Sequence, residues 1–390
     1  MRALFTSQAA TGHLHSLLPV AAALTAAGHE VAFCSSPSFR AEVEPWGFTY
    51  FGIGPEPEEI RADLPERPPP GPESYRWAQR YYFAGASAQQ RFPDLLALAG
   101  DWRPQVIVRE NSEYAECLVA ETLGLPHASV ATGAWAAHSF LKPVLADPLA
   151  HRRAEVGLSP DPDMEMMFRY LHLCFMPPRF DGPDAVFPPT AHFLRHDNPQ
   201  RSDEPLPSWV DGLDDRPLVL ASLGTVAHQT PGLLEAILAG LSEGGVNLIL
   251  ASGRGHDPAR FGPQPSHVHI EPYVPQRLLL PRCDLFITHG GFNSAKEALS
   301  LGVPLVVIPI GADQFYCAER CAALGVAQVI DPDHRSPESI ARAAGAVLGD
   351  PRHRTSAAQV QAEMAALPGP QHAVELLEQL VTLRRPLNKS

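Results

Sequence analysis

Residues 284–308 read DLFITHGGFNSAKEALSLGVPLVVI, and residues 311–314 add GADQ. An apolar run, Leu285-Phe286-Ile287, leads into His289-Gly290-Gly291. A helical pattern then runs through Glu297 to Leu301. The turn Gly302-Val303-Pro304 follows, and a second apolar run extends from Leu305 to Ile308. Both runs are short, bounded by turn residues and separated by a helix-length segment. That pattern predicts buried parallel strands joined by a helix. Where such a helix begins, unpaired N–H groups and the positive end of the dipole favour an anion, typically a phosphate. Gly290 and Gly291 let the backbone approach that ligand. His289, Asn293 and Ser294 add side-chain donors at the same end.

The same grammar extends outward in both directions. Residues 1–8 read as a strand, Thr11-Gly12-His13 as the turn after it, and Leu14 to Ala27 as a helix stopped by Gly28. Strands at Glu30 to Ser35 and Phe48 to Ile53 flank a short helix at Phe39 to Trp46. Pro55 to Pro72 reads as a mobile loop by composition. A helical region from Tyr75 to Leu98 follows. Val106 to Val108 is a buried strand ending in Arg109-Glu110. Tyr114 to Leu123 is a helix and His127 to Ala131 a strand, and residues 138–176 look mostly helical.

Proline-rich loops at Pro177 to Pro189 and Asn198 to Pro207 close this half. Pro217 to Ser222 opens a second sheet, with a helix at Leu233 to Leu241 and strands at Val246 to Ala251 and Val326 to Ile330. Residues 336–384 are helical, with breaks at Asp350-Pro351 and Pro368-Gly369-Pro370. Alternating strands and helices predict an α/β chain of two doubly wound parallel sheets. Open sheets of this kind bind ligands beyond the carboxyl ends of their strands. His13, Glu110, Ser222 to Thr225, Gly253-Arg254 and His289 all follow a predicted strand, and are expected to line one cleft.

Composition narrows the function. The chain has 390 residues, is 45% hydrophobic and carries a formal charge of −13. Length suggests two or three domains. The negative charge argues against a general nucleic-acid binder but permits a local diphosphate pocket. No apolar run approaches membrane-spanning length, and no signal-peptide pattern opens the chain, so a cytoplasmic protein is expected. The six cysteines form no C-x-x-C pair. Cys317 and Cys321 read as small buried residues on one helix face.

The central stretch resembles the donor-binding signature of family 1 nucleotide-sugar-dependent glycosyltransferases, bacterial natural-product enzymes in particular. The match comprises Tyr273-Val274-Pro275-Gln276, H-G-G-x-N-S with Glu297 eight residues after the His, G-V-P, and Asp313-Gln314. Two features depart from the plant pattern, H-G-G for H-C-G and Tyr273 for Trp. The resemblance implies the GT-B fold, two Rossmann-like domains facing across a cleft. The expected domains are an acceptor domain over 1–205, a donor domain over 206–370, and a final segment, 371–390, whose helix packs back on the first domain.

The resemblance also implies roles. His13 resembles the family's general base, and Glu110 matches the acidic partner, where many members carry Asp. His289, Gly290, Gly291, Asn293 and Ser294 would hold the diphosphate, with Gly224 and Thr225 closing from the other side and Arg254 nearby. Tyr273 and Val274 would flank the base, Gln276 and Glu297 reach the ribose, and Asp313 and Gln314 bind the transferred sugar. No metal and no cofactor are expected, because oriented donors and a helix dipole take the place of a cation. The nucleoside-diphosphate sugar, TDP- or UDP-linked, is a co-substrate, and the other partner is a small hydrophobic acceptor.

Aromatics from Tyr75 to Phe83, with Trp135, Phe140 and Phe168, fit either an acceptor pocket or helix core. A monomer or homodimer is expected, with no nucleic-acid or membrane partner. The competing classes are a nucleotide-sugar epimerase, which needs no His on the first loop, and a non-catalytic sugar-nucleotide binder. A P-loop NTPase is excluded by the missing G-x-x-x-x-G-K-[ST].

Overall fold

The computed structural model of the chain describes every residue except 136–139, 198, 200–204, 225–229, 254–255 and 390. It contains two compact units, Met1–Gln200 with Leu367–Ser390, and Arg201–Ala366.

The first unit is built on seven strands: β1 (Arg2–Thr6), β2 (Glu30–Ser35), β3 (Thr49–Gly52), β4 (Val106–Glu110), β5 (His127–Val130), β6 (Leu171–Cys174) and β7 (Ala191–Phe193). They lie in the order β3-β2-β1-β4-β5-β6-β7, and every pairing is parallel. Such a sheet must be covered on both faces, and the strands alternate accordingly. Ala3, Phe5, Val31, Phe33, Val106 and Val108 pack on one side with the helix Thr11–Ala26. Leu4, Ala32, Cys34 and Ile107 pack on the other with the helices Ala88–Trp102 and Ala115–Leu123. The C-terminal helix Pro370–Leu383 puts Ala373, Val374, Leu377 and Leu380 into the first of these layers.

The second unit repeats the plan with β8 (Leu218–Ser222), β9 (Asn247–Ala251), β10 (Val268–Glu271), β11 (Leu285–Thr288), β12 (Leu305–Val307) and β13 (Ala327–Val329), ordered β10-β9-β8-β11-β12-β13. All are parallel. Val219, Ala221, Leu248, Leu250, Leu285 and Ile287 face the helices Leu233–Leu241 and Pro337–Gly349. In each unit the strand order reverses once, between β1 and β4 and between β8 and β11. The helices that follow these strand pairs therefore leave to opposite faces. The crevice beyond the strand ends is the usual ligand site of such sheets.

Several local expectations are corrected. The first helix begins at Thr11, so His13 lies in its first turn rather than in a preceding loop. Residues 138–176 are not mostly helical: after the helix Lys142–Glu155 the chain forms β6, and later β7. Strands of four and three residues, each carrying a His, leave too few positions for a period of two to show. The edge strand β10 escaped reading for the same reason. The span from Pro55 to Pro72 contains the helix Pro57–Arg61, started by a capping box between Glu56 and Glu59. The helical region near Tyr75 is interrupted by a π-helical stretch, Ala78–Ser87.

Candidate active site

The first switch point holds a histidine–carboxylate pair. Glu110 is the last residue of β4, fully buried, and His13 enters from the helix after β1. Nδ1 of His13 lies 3.0 Å from Oε2 of Glu110, and the imidazole side chain keeps 25% exposure. Two backbone groups complete the carboxylate's surroundings: Ser112 N–H donates to Oε2 at 2.7 Å and Gln8 N–H to Oε1 at 3.3 Å. Burial opposes the charge of Glu110, but the His13 imidazole and these N–H groups outweigh it and hold the carboxyl below its ordinary range. With Nδ1 on the carboxylate, Nε2 lies on the opposite side of the ring.

Deeper in the same unit, Arg109 and Glu116 form a fully buried pair at 3.4 Å. Ligand atoms of Glu116, Cys117 and His127 gather within 4.8 Å of one another. Burial drives the Glu116 carboxyl well up and the His127 imidazole down to about 3, so His127 is neutral. The Arg109 guanidinium offsets part of the burial penalty on Glu116, and the group reads as a core cluster.

The aromatics of this unit divide into two groups. Phe83 lies 6.0 Å from the His13 ring and packs edge-on to Tyr82. Trp135, Phe168, His172 and Phe187 form a separate cluster, with Trp135 Nε1 donating to the Val186 carbonyl. Phe140 packs edge-on to Tyr75.

The second switch point is of different make. His289 follows β11 and Gly224 follows β8. Gly224 has φ +70°, and a Cβ there would sit 2.7 Å from His289 Cε1. A Cβ on Gly291 would run into His289 Nε2. Both positions therefore need glycine for this ring to fit. Desolvation lowers the His289 pKa to about 4, so the ring is neutral near pH 7 even though part of it meets solvent. Thr288 Oγ1 accepts from Gly290 N–H at 3.3 Å and lies 3.4 Å from His289 Nδ1. The helix Phe292–Ser300 starts here, with Gly291 at its N-cap and Asn293 and Ser294 in its first turn.

The remaining expected residues also follow strand ends. Tyr273, 47% exposed, and buried Val274 come after β10. Gln276 opens the helix Gln276–Leu279 and donates through Nε2 to Glu297 Oε2 at 2.7 Å. These two expected ribose ligands are thus brought together from different elements. Asp313 occupies the N-cap position of the helix Gln314–Ala323 without a capping bond from its side chain. Gln314 Oε1 accepts from Ile310 and Gly311 N–H at 2.8 and 2.9 Å, which leaves its NH₂ for a ligand. Thr225 and Arg254 lie outside the described residues. Lys296, which sequence reading passed over, is buried on the helix Phe292–Ser300 over the Phe292 ring, and desolvation brings its pKa down to about 7.

A family model described as the C-terminal domain of erythromycin biosynthesis protein CIII-like proteins matches residues 237–380. The chain is 29% identical to 4'-demethylrebeccamycin synthase of Lentzea aerocolonigenes, over 97% of this chain and 99% of that protein. It is also 29% identical to L-demethylnoviosyl transferase of Streptomyces niveus, over 90% of each. The spinosyn rhamnosyltransferase SpnG, solved with thymidine diphosphate and separately with the spinosyn aglycone, superposes with a TM-score of 0.81 at 26% identity, covering 97% of this chain and 100% of that one. Two parallel Rossmann-like sheets, glycine-lined switch points and these likenesses lead to one conclusion: the chain has the GT-B fold and is similar along nearly its whole length to natural-product glycosyltransferases.

Proposed function

We propose that the protein is an inverting, metal-independent glycosyltransferase that moves a hexose or deoxyhexose from a TDP- or UDP-sugar to a hydroxyl of a hydrophobic natural product. The observation that carries this reading is the His13–Glu110 pair at a strand-order reversal. An imidazole with one nitrogen on a buried carboxylate is the arrangement a general base needs. The acceptor O–H gives its proton to His13 Nε2. The acceptor oxygen bonds to the anomeric carbon as the bond from that carbon to phosphate oxygen breaks, and the nucleoside diphosphate leaves as an anion. Glu110 orients the ring and stabilises its cationic form.

The leaving anion is met by donors that need no reorganisation: His289 Nε2, the N–H groups at the start of Phe292–Ser300, and the first-turn side chains. Gln276 and Glu297 hold the ribose, Asp313 and Gln314 the sugar hydroxyls, and the exposed ring of Tyr273 the base. TDP is the favoured nucleotide, supported by the thymidine diphosphate bound in the spinosyn enzyme. The aromatic groups around Phe83 and Trp135 suit an apolar aglycone.

The test is incubation with TDP-glucose and UDP-glucose and a panel of phenols and alcohols, followed by NMR of any glycoside. A β-linked product from the α-linked donor, formed equally with and without EDTA, is expected. A retained anomeric configuration or a strict need for a divalent ion would overturn the mechanism.

A further inference from the structure

Gln8 stands where three segments of the first unit meet. Its backbone N–H donates to Glu110 Oε1 at 3.3 Å. Its side-chain amide is used at both ends: Nε2 donates to the Ser112 carbonyl at 3.2 Å, and Oε1 accepts from Ser87 Oγ at 3.1 Å. Ser112 is itself the second backbone donor to Glu110, at 2.7 Å. The Ser112 hydroxyl accepts from Gln79 Nε2 at 3.4 Å, and Gln79 Oε1 accepts from the Tyr114 hydroxyl at 3.0 Å. Gln8, Gln79, Ser87, Ser112 and Tyr114 are all buried.

Gln79 and Ser87 bracket the π-helical stretch Ala78–Ser87, which also carries Phe83 against His13. A π turn inside an α-helix is uncommon and tends to mark a functional site. Here its two buried polar side chains reach the loop after β1 and the loop after β4. Those loops supply both backbone donors that orient the Glu110 carboxylate. A glutamate has one more rotatable bond than an aspartate, so its plane depends more on such donors. The Gln8 amide bridges the two loops and so sets their spacing.

We propose that Gln8 is a positioning residue for the His13–Glu110 pair, and that through Ser87 it ties the π-helical segment to that pair. The proposal rests on the reading of His13 as the base. Among the described ionisable groups around this network are Glu113, on the loop after β4 and faced by Arg91, Arg109 at the end of β4, and the Tyr114 hydroxyl. A change at Gln8 leaves all of them in place.

Gln8→Leu keeps the volume and removes both side-chain bonds, and Ser87→Ala is the milder variant should the first fold poorly. Each is assayed for kcat and donor KM between about pH 5.5 and 9, with a simple alcohol and with an acidic phenol. Gln8→Leu should lower kcat on the alcohol by about tenfold to a hundredfold, the scale of a misplaced catalytic group. Ser87→Ala should lower it by a few-fold.

For both variants the loss should shrink on the phenol, and donor KM should stay near wild type. The acid limb of the kcat profile should move to lower pH, because a misaligned carboxylate favours the imidazolium less. A lowered melting temperature with unchanged kcat and unchanged pH limb, or equal losses on both acceptors, would overturn the proposal. His13→Ala, run alongside, separates the two failures: if it keeps full alcohol activity, the base reading itself has failed.

Discussion

The two units share a strand order and differ at the point where that order reverses. At β1/β4 the protein buries a carboxylate and sets an imidazole on it. At β8/β11 it sets a neutral, half-buried imidazole among glycines. Among the described residues, the buried carboxylates Glu110, Glu113 and Glu116 all belong to the first unit. The difference follows from what each site is proposed to receive. A base that becomes cationic gains from a fixed anion. A pocket for a diphosphate loses from one, because like charges at close range repel. The same scaffold is thus tuned in opposite directions by a handful of strand-end residues, consistent with function residing in sites rather than folds.

Breaking the charged half should cost most. His13→Ala should lower kcat on an alcohol by about two to four orders of magnitude, the usual contribution of a general base. Steady-state kinetics across acceptors of falling pKa would sharpen this, since a partly ionised phenol needs less help. Glu110→Gln should cost less, because the imidazole remains. The ratio of the two kcat losses on one alcohol tests that order.

Breaking the neutral half should cost affinity. His289→Ala removes a donor to a charged ligand, worth about 1.5–3 kcal/mol, or roughly tenfold to a hundredfold in donor Kd by calorimetry. Gly224→Ala should act on the same contact indirectly, by straining a backbone at φ +70° and pressing on the His289 ring. A loss of about 1–3 kcal/mol in unfolding free energy is expected, read from denaturant melts, together with weaker donor binding.

The smallest effect is one of pH. The folded His289 pKa is depressed to about 4, against roughly 6.5 when unfolded. Its contribution to stability is therefore present above the unfolded value and lost as pH falls toward the folded one. Between about pH 6.5 and 8 the residue does not titrate in the native state, so any pH dependence of TDP-sugar affinity there should be the same in His289→Ala as in the wild type. A histidine-like titration abolished by His289→Ala would mean the ring is not held neutral.

Much of this was readable in one dimension, for a physical reason. Fully buried parallel strands such as Leu285–Thr288 are short apolar runs, and the residues just beyond them are set by sheet geometry. The strand-end placement of His13, Glu110, His289 and Gly224 could therefore be read from position alone, whereas their roles came from the family resemblance. The Gln276–Glu297 contact was foreshadowed by the family signature and not by spacing. Gln8 was missed because its partners are far along the chain: Ser87 lies 79 residues away and Ser112 104. No local pattern marks a glutamine whose task is to bridge two loops. The π-helical stretch was missed because it is continuous with helices on both sides, Pro72–Trp77 and Ala88–Trp102. Strands β6, β7 and β10 were too short to declare a period.

The division of labour between the two switch points is tested most directly by titrating thymidine diphosphate into His13→Ala and His289→Ala by calorimetry, with kcat measured on the same preparations. The account predicts that His13→Ala binds the nucleotide within about twofold of wild type while its kcat falls at least about a hundredfold, and that His289→Ala loses nucleotide affinity. Loss of nucleotide binding in His13→Ala, or undiminished binding in His289→Ala, would contradict it.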